Sequence, residues 1–218
     1  MTEEEVFARM GEIGAVPVVA LDDAGAALPL ADALLAGGIG AVEITFRTDA
    51  AADAIRTISS ERPDMLVGAG TVLTAENARR AADCGAQFAV APGFSAHVVR
   101  AAQEAGLAFA PGVVTPTDVQ AALALGLRVL KFFPAEAAGG ARLLKSLAAP
   151  YAHTAVRFIP TGGVNAANMT EYLKMDCVLA VGGSWLARRA AIAERDWESI
   201  TRAAREARET VAMLRAAS

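Results

Sequence analysis

The stretch Gly126-Leu127-Arg128-Val129-Leu130-Lys131-Phe132-Phe133-Pro134-Ala135-Glu136 carries the chain's repeating unit in one piece. A glycine closes a helix by taking the left-handed position past its last turn, and an apolar residue soon opens a strand. The same device recurs at Gly37-Gly38-Ile39, Gly85-Ala86 and Gly106-Leu107. Working outward from it gives eight apolar strand candidates, centred on Val18, Val42, Val67, Ala89, Phe109, Val129, Phe158 and Leu179. Helix starts fall between them. Thr115 supplies a capping hydroxyl before a first-turn proline, Pro116, and Val119, Ala122 and Leu123 follow on one face. Thr74, Ser95 and Asn165 read as equivalent caps. Eight strand–helix units in one chain predict an α/β fold of the (β/α)8 TIM-barrel type. A doubly wound sheet would carry a Gly-rich fingerprint after its first strand, and Leu21-Asp22-Asp23-Ala24-Gly25 lacks that spacing.

Thr2 and Glu5 stand at capping-box spacing, and Val6, Phe7, Met10 and Ile13 continue at helical period, so an extra N-terminal helix precedes the first strand. From Asp196 onward, Trp197, Ile200, Ala204, Ala207, Val211 and Leu214 form the apolar stripe of an amphipathic helix. No linker or low-complexity tract interrupts the pattern, and 218 residues suit one core, so residues 1–218 read as a single domain. A formal net charge of -4 gives no basic footprint for nucleic acid. No apolar run approaches the ~20 residues of a membrane span. Met1-Thr2-Glu3-Glu4-Glu5 lacks a signal core, and Cys84 and Cys177 lie far apart in apolar segments, which suits reduced thiols and a cytoplasmic enzyme or binding domain.

Lys131 breaks the apolar run that contains it. The chain has three lysines against seventeen arginines, and Lys145 and Lys174 lie among polar neighbours on helix surfaces. An ammonium without a partner in an apolar site tends to shed its proton, and a neutral amine attacks carbonyls to give Schiff bases. A snorkelling or ion-paired lysine is the plainer alternative. Glu43 is the second anomaly. Alternation along its strand sends Val42, Ile44 and Phe46 outward to the helices, which turns Glu43 and Thr45 into the barrel. There a carboxylate shuttles protons for a lysine adduct, or it forms a structural pair with that lysine. Arg47 at the strand exit suits a bidentate grip on a carboxylate, or a surface pair with Asp49 or Asp53. Thr71 either adds a hydroxyl to that grip or starts the loop before Thr74. Gly162-Gly163 and Gly182-Gly183-Ser184 follow the last two strands and precede helix starts. Bare N–H groups there fit a phosphate, which explains two such turns better than tight turning alone does. His97 and His153 sit away from strand ends. No His/Asp/Glu set has metal-ligand placement, so neither metal nor cofactor is expected.

Five runs resemble a known family: Glu43-Ile44-Thr45-Phe46-Arg47-Thr48, Gly68-Ala69-Gly70-Thr71-Val72, Lys131-Phe132-Phe133-Pro134-Ala135-Glu136, Pro160-Thr161-Gly162-Gly163 and Gly182-Gly183-Ser184-Trp185-Leu186. In this order, across nearly the whole chain, they are similar to class I 2-keto-3-deoxy-6-phosphogluconate (KDPG) aldolase, also described as 4-hydroxy-2-oxoglutarate aldolase. The resemblance implies a homotrimeric (β/α)8 barrel acting on a phosphorylated keto acid. It implies Lys131 as the Schiff-base lysine and Glu43 as general acid/base. It implies Arg47 and Thr71 at the substrate carboxylate, Pro92 and Phe133 shaping the pocket, and Gly162, Gly163, Gly183 and Ser184 at the phosphate. Thr161 bears on specificity, since relatives acting on the galactonate epimer tend to carry an apolar residue there. Ala138 departs from the pattern, which has a polar residue at that place.

Three other activities compete with this reading. A sugar-phosphate isomerase or epimerase would use Glu43 as base and form no covalent adduct. A non-catalytic phosphometabolite-binding barrel would turn nothing over. A metal-dependent pyruvate aldolase would be sensitive to EDTA.

Overall fold

The computed structural model describes residues 1–216. Its strands are β1 (Ala15–Val19), β2 (Ala41–Thr45), β3 (Leu66–Gly70), β4 (Phe88–Val90), β5 (Ala108–Ala110), β6 (Gly112–Val113), β7 (Val129–Phe132), β8 (Arg157–Pro160) and β9 (Val181–Gly183). The helices are α1 (Glu3–Ile13), α2 (Ala27–Ala36), α3 (Ala51–Glu61), α4 (Ala75–Asp83), α5 (Ala96–Glu104), α6 (Pro116–Ala124), α7 (Ala135–Ala138), α8 (Gly140–Ala148), α9 (Met169–Leu173), α10 (Arg189–Ala193) and α11 (Trp197–Ala216).

Every strand pairs in parallel with its neighbours, in two sheets ordered β5-β4-β3-β2-β1-β9 and β6-β7-β8. The two sheets form one curled ring. β5 and β6 are a single stave interrupted at Pro111, which has no N–H to give a ladder but whose carbonyl still accepts from the Lys131 amide at 2.9 Å. Bridges Phe158–Val178 and Thr161–Gly182 join β8 to the last stave. The architecture is therefore the expected α/β barrel, with helices outside.

The helix signals fold as their chemistry dictates. Thr2 with Glu5 and Thr115 with Asp118 form complete capping boxes, and Thr74 and Ser95 cap α4 and α5. Gly38, Gly85, Gly106 and Gly126 all take positive φ just past a helix. Two expectations shift. The last strand begins at Val181, two residues after its expected centre at Leu179. Asn165 caps no helix: its side chain accepts from the Ala167 amide in a turn, and α9 starts only at Met169.

Buried apolar residues divide into two clusters that trace the pleat. The outward faces of the strands, with Val42, Ile44, Val67, Ala69, Phe109, Leu130, Phe132 and Phe158, pack against the surrounding helices. The inward faces, with Val16, Ala41, Leu66, Phe88, Ala108, Val129 and Ile159, pack against Val6, Phe7 and Met10 of α1. The N-terminal helix thus closes the barrel from below. Burying three such side chains contributes about 1.5–3 kcal/mol each, more than the roughly 1 kcal/mol of the Thr2 cap, so docking rather than capping holds α1 in place.

Candidate active site

Above that apolar floor the inward positions change character. Glu43 and Thr45 continue the inward face of β2 from Ala41, and Lys131 continues that of β7 from Val129. All three are buried, at 4 %, 2 % and 5 % exposure. The Lys131 ammonium donates to both Glu43 oxygens, at 3.1 Å to Oε1 and 3.4 Å to Oε2. The lysine is therefore partnered, and its partner is the carboxylate that strand alternation points inward.

Space for this pair comes from missing side chains. Glu43 and Thr45 lie in register with Gly68 and Gly70 on β3. A Cβ on Gly70 would overlap the Glu43 carboxylate, and one on Gly68 would overlap the Phe88 ring below. Gly112 stands in register with Lys131, where a Cβ would run into the Pro92 backbone. These glycines are there for room, not for backbone freedom.

A pocket of about 530 Å³ adjoins the pair, lined among others by Arg47, Phe133, Thr161, Gly163, Ser184 and Arg188. Gly162 and Gly183 also line it. Phe133 joins pocket to pair, since its ring centre lies 5.6 Å from Lys131 Nζ. Seven expected residues meet there: Arg47, Phe133, Thr161, Gly162, Gly163, Gly183 and Ser184. Thr71 and Pro92 are not part of its lining. Thr71 follows Gly70 in the left-handed region at φ 57°, an uncommon conformation for a β-branched residue that costs about 1–3 kcal/mol. The Pro92 backbone abuts Gly112, which stands in register with Lys131. A larger cavity, of about 690 Å³, lies at the other end of the barrel among Glu12, Arg157, Lys174 and Arg215, far from the pair.

Arg47 does not make the surface pair that sequence left open. Asp53 pairs with Arg56 at 2.7 Å, while Arg47 donates from Nε to the Thr45 hydroxyl at 3.1 Å. The two diglycine turns also differ from expectation. Gly162 and Gly163 have φ of 97° and 85°, which only glycine takes freely, but a turn follows them rather than a helix. Gly183 leads into a single 3-10 turn, Ser184–Leu186. Behind Gly162 and Gly163 stands a brace. The Glu136 amide donates to the Gly162 carbonyl at 3.0 Å, and the Glu136 carboxylate accepts from the buried Tyr172 hydroxyl. Burial, and then the adjoining carboxylate, push the Tyr172 phenol up, so it stays a donor.

Sequence reasoning missed three residues. Arg188 lines the pocket and its guanidinium makes no hydrogen bond or ion pair among the described residues, whereas its neighbour Arg189 pairs with Asp22 at 2.6 Å. Nothing in Ala187-Arg188-Arg189 separates the two. Tyr172 lies far along the chain from the Glu136 that accepts its hydroxyl. Trp185 both packs on the core and lines the pocket. His97 and His153 are exposed, and Cys84 and Cys177 are free thiols. Among the described residues no group of three His, Cys, Asp or Glu side chains could hold a metal ion. Among the described residues no helix is long and apolar enough to cross a membrane.

An α/β barrel whose mouth holds a buried lysine against a carboxylate fits one class in particular, the aldolases that act through a lysine. Comparison with known proteins narrows it. The family model for KDPG and KHG aldolase matches residues 6–203. A 2-dehydro-3-deoxy-phosphogluconate aldolase of Haemophilus influenzae is 43% identical over 205 residues, 94% of this chain and 96% of that one. That of Treponema pallidum is 46% identical over 196 residues, covering 90% and 92%. Among solved structures, a KDPG aldolase from Legionella pneumophila, with pyruvate captured as a covalent carbinolamine, superposes with a TM-score of 0.88 at 38% identity, over 94% of this chain and 97% of that one. The chain belongs to the KDPG and KHG aldolase family, and it is a lyase.

Proposed function

We propose that this chain cleaves 2-dehydro-3-deoxy-6-phosphogluconate to pyruvate and D-glyceraldehyde 3-phosphate through a Schiff base on Lys131. It also cleaves 4-hydroxy-2-oxoglutarate to pyruvate and glyoxylate. The observation that carries the reading is the buried contact between Lys131 Nζ and Glu43. Glu43 takes a proton from the ammonium, and the free amine adds to the C2 ketone. Glu43 returns that proton to the new alkoxide, takes a second from the nitrogen and passes it to the resulting hydroxyl, which leaves as water to give the iminium. Loss of the C4 hydroxyl proton then breaks the C3–C4 bond, with the electron pair moving into the iminium to form an enamine. Protonation at C3 and hydrolysis release pyruvate and restore the amine. Glu43 lies within reach of Nζ for each proton transfer, so one carboxylate serves several steps.

Arg47 and Thr71 hold the substrate carboxylate in this reading, with Pro92 and Phe133 as walls. The pocket's glycines, Gly162, Gly163 and Gly183, together with Ser184, take the phosphate, and Thr161 lies between the two ends. Orientation by a phosphate remote from the reacting bond feeds the chemical step, so dephosphorylated substrate loses rate as well as affinity. The same reading makes residues 1–218 one domain of a cytoplasmic homotrimer, which a light-scattering mass of three chains would support.

Borohydride reduction with pyruvate, followed by peptide mapping, tests the mechanism. A reduced pyruvate adduct on Lys131 is expected. A folded protein that gives none with pyruvate in excess is not a Schiff-base aldolase.

A further inference from the structure

We propose that Thr45 is the positioning residue for Arg47, fixing that guanidinium so that its two Nη ends meet the carboxylate of the keto acid. The inference rests on the reading that Arg47 binds this carboxylate. Thr45 is the last residue of β2 and points into the barrel, 2 % exposed. Its hydroxyl donates to the Val19 carbonyl on β1 at 2.9 Å. A hydroxyl has one hydrogen, so its contact with Arg47 Nε at 3.1 Å has a fixed sense: Arg47 donates and Thr45 accepts. The relay Arg47 Nε–H to Thr45 Oγ1–H to Val19 C=O ties a long cationic side chain to the backbone of a neighbouring strand.

Arg47 needs that tether. It is exposed and has no carboxylate partner among the described residues, since Asp53 is taken by Arg56. A free arginine gives up considerable rotamer entropy when it is ordered, and an arginine ordered in advance binds more tightly. Occupying Nε leaves the Nη1/Nη2 edge, which matches a carboxylate end-on. Threonine suits the task because β-branching stiffens its χ1 on a strand. If Thr45 were only filler, valine of the same shape would serve equally well.

The test compares Thr45→Val and Thr45→Ser in the full chain, alone and combined with Arg47→Ala, using cleavage kinetics and thermal unfolding. Thr45→Val is expected to raise KM about five- to tenfold, with kcat held within about twofold, the pattern of lost uniform binding. Thr45→Ser restores the parent KM within about twofold, because it keeps the hydroxyl. In the Arg47→Ala background, Thr45→Val has no further effect on KM, because its route of action is gone. A parent-like KM in Thr45→Val beside a raised KM in Arg47→Ala overturns the positioning role alone. An unchanged KM in Arg47→Ala overturns the reading of Arg47, and the inference with it. Equal losses from Thr45→Val in both backgrounds assign Thr45 a structural role instead. Thr45→Ala gives the same contrast if the valine variant does not fold, and failure of both to fold likewise overturns the inference.

Discussion

The floor and the mouth of this barrel are built from the same strands and do opposite things. β7 passes through both within two residues, with Val129 in the floor and Lys131 in the mouth. In the floor, Val16, Leu66, Phe88 and Ile159 meet Val6, Phe7 and Met10 of α1 in wholly apolar contact. In the mouth the inward positions include Glu43, Thr45, Lys131 and Thr161, the buried polar side chains among the described residues. A buried ion pair adds little net stability over an apolar pair of the same volume, whereas apolar burial adds about 1.5–3 kcal/mol per large side chain. The floor is thus where the barrel gains its stability, and the mouth is where it gives some up for chemistry.

Replacing Lys131 separates the two most sharply. Lys131→Met is expected to cut turnover on the order of 10⁴-fold or more, as losses of covalent nucleophiles do. It also leaves Glu43 as a buried charge without its partner, costing about 3–5 kcal/mol in denaturant unfolding. Adding Glu43→Gln removes that lone charge and returns most of the stability without returning activity. If stability stays low in the double variant, the pair is holding the barrel together and the contrast fails. The floor gives the converse. Phe88→Ala empties the space over Gly68 and costs about 3–5 kcal/mol, while kcat per folded molecule stays within about twofold, measured below the shifted melting temperature.

The smallest effect sharpens the comparison by pH. Asp118 caps α6 on the mouth side, accepting from the Val114 and Thr115 amides at 3.0 and 2.9 Å. Burial pushes its carboxyl up, but those amides and the Thr115 hydroxyl outweigh burial and hold it below the usual carboxylate range. A carboxyl lowered on folding stabilises above its unfolded value, near 4, and loses that contribution as pH falls through the folded value. Asp118→Asn is therefore expected to cost about 1 kcal/mol at pH 7, with the gap to the parent closing below about pH 4 in denaturant titrations.

Most of this fold was legible because its signals are local. A glycine past α2, α4, α5 and α6 and a hydroxyl before α4, α5 and α6 are read within four residues, and period-two alternation alone turned Glu43 and Thr45 inward. What stayed hidden depends on distance. Nothing near Phe7 and Met10 says that their face meets Phe88 and Ala108 across the barrel, so α1 read only as a helix preceding the first strand. Cys177-Val178-Leu179-Ala180-Val181 is apolar throughout and offers no alternation to set a register, so the last strand was centred early. Around the pocket, residues distinguished by chemistry stood out in the sequence, Lys131 in its apolar run and Arg47 at a strand exit among them. Arg188 did not, because only the folded turn after Trp185 aims it at the pocket while Arg189 turns to Asp22.

The plug formed by α1 also decides how molecules travel. With Val6, Phe7 and Met10 packed into the barrel from below, the pocket that Arg47, Phe133 and Ser184 line lies on the opposite side of Lys131, joined to it by the Phe133 ring. On the proposed function, substrate enters and both products leave by that door. With the phosphate held by Gly162, Gly163, Gly183 and Ser184 as proposed, the phosphorylated aldehyde would stand between solvent and an enamine on Lys131. The expected release order, aldehyde first and pyruvate last, is one that product inhibition would read directly.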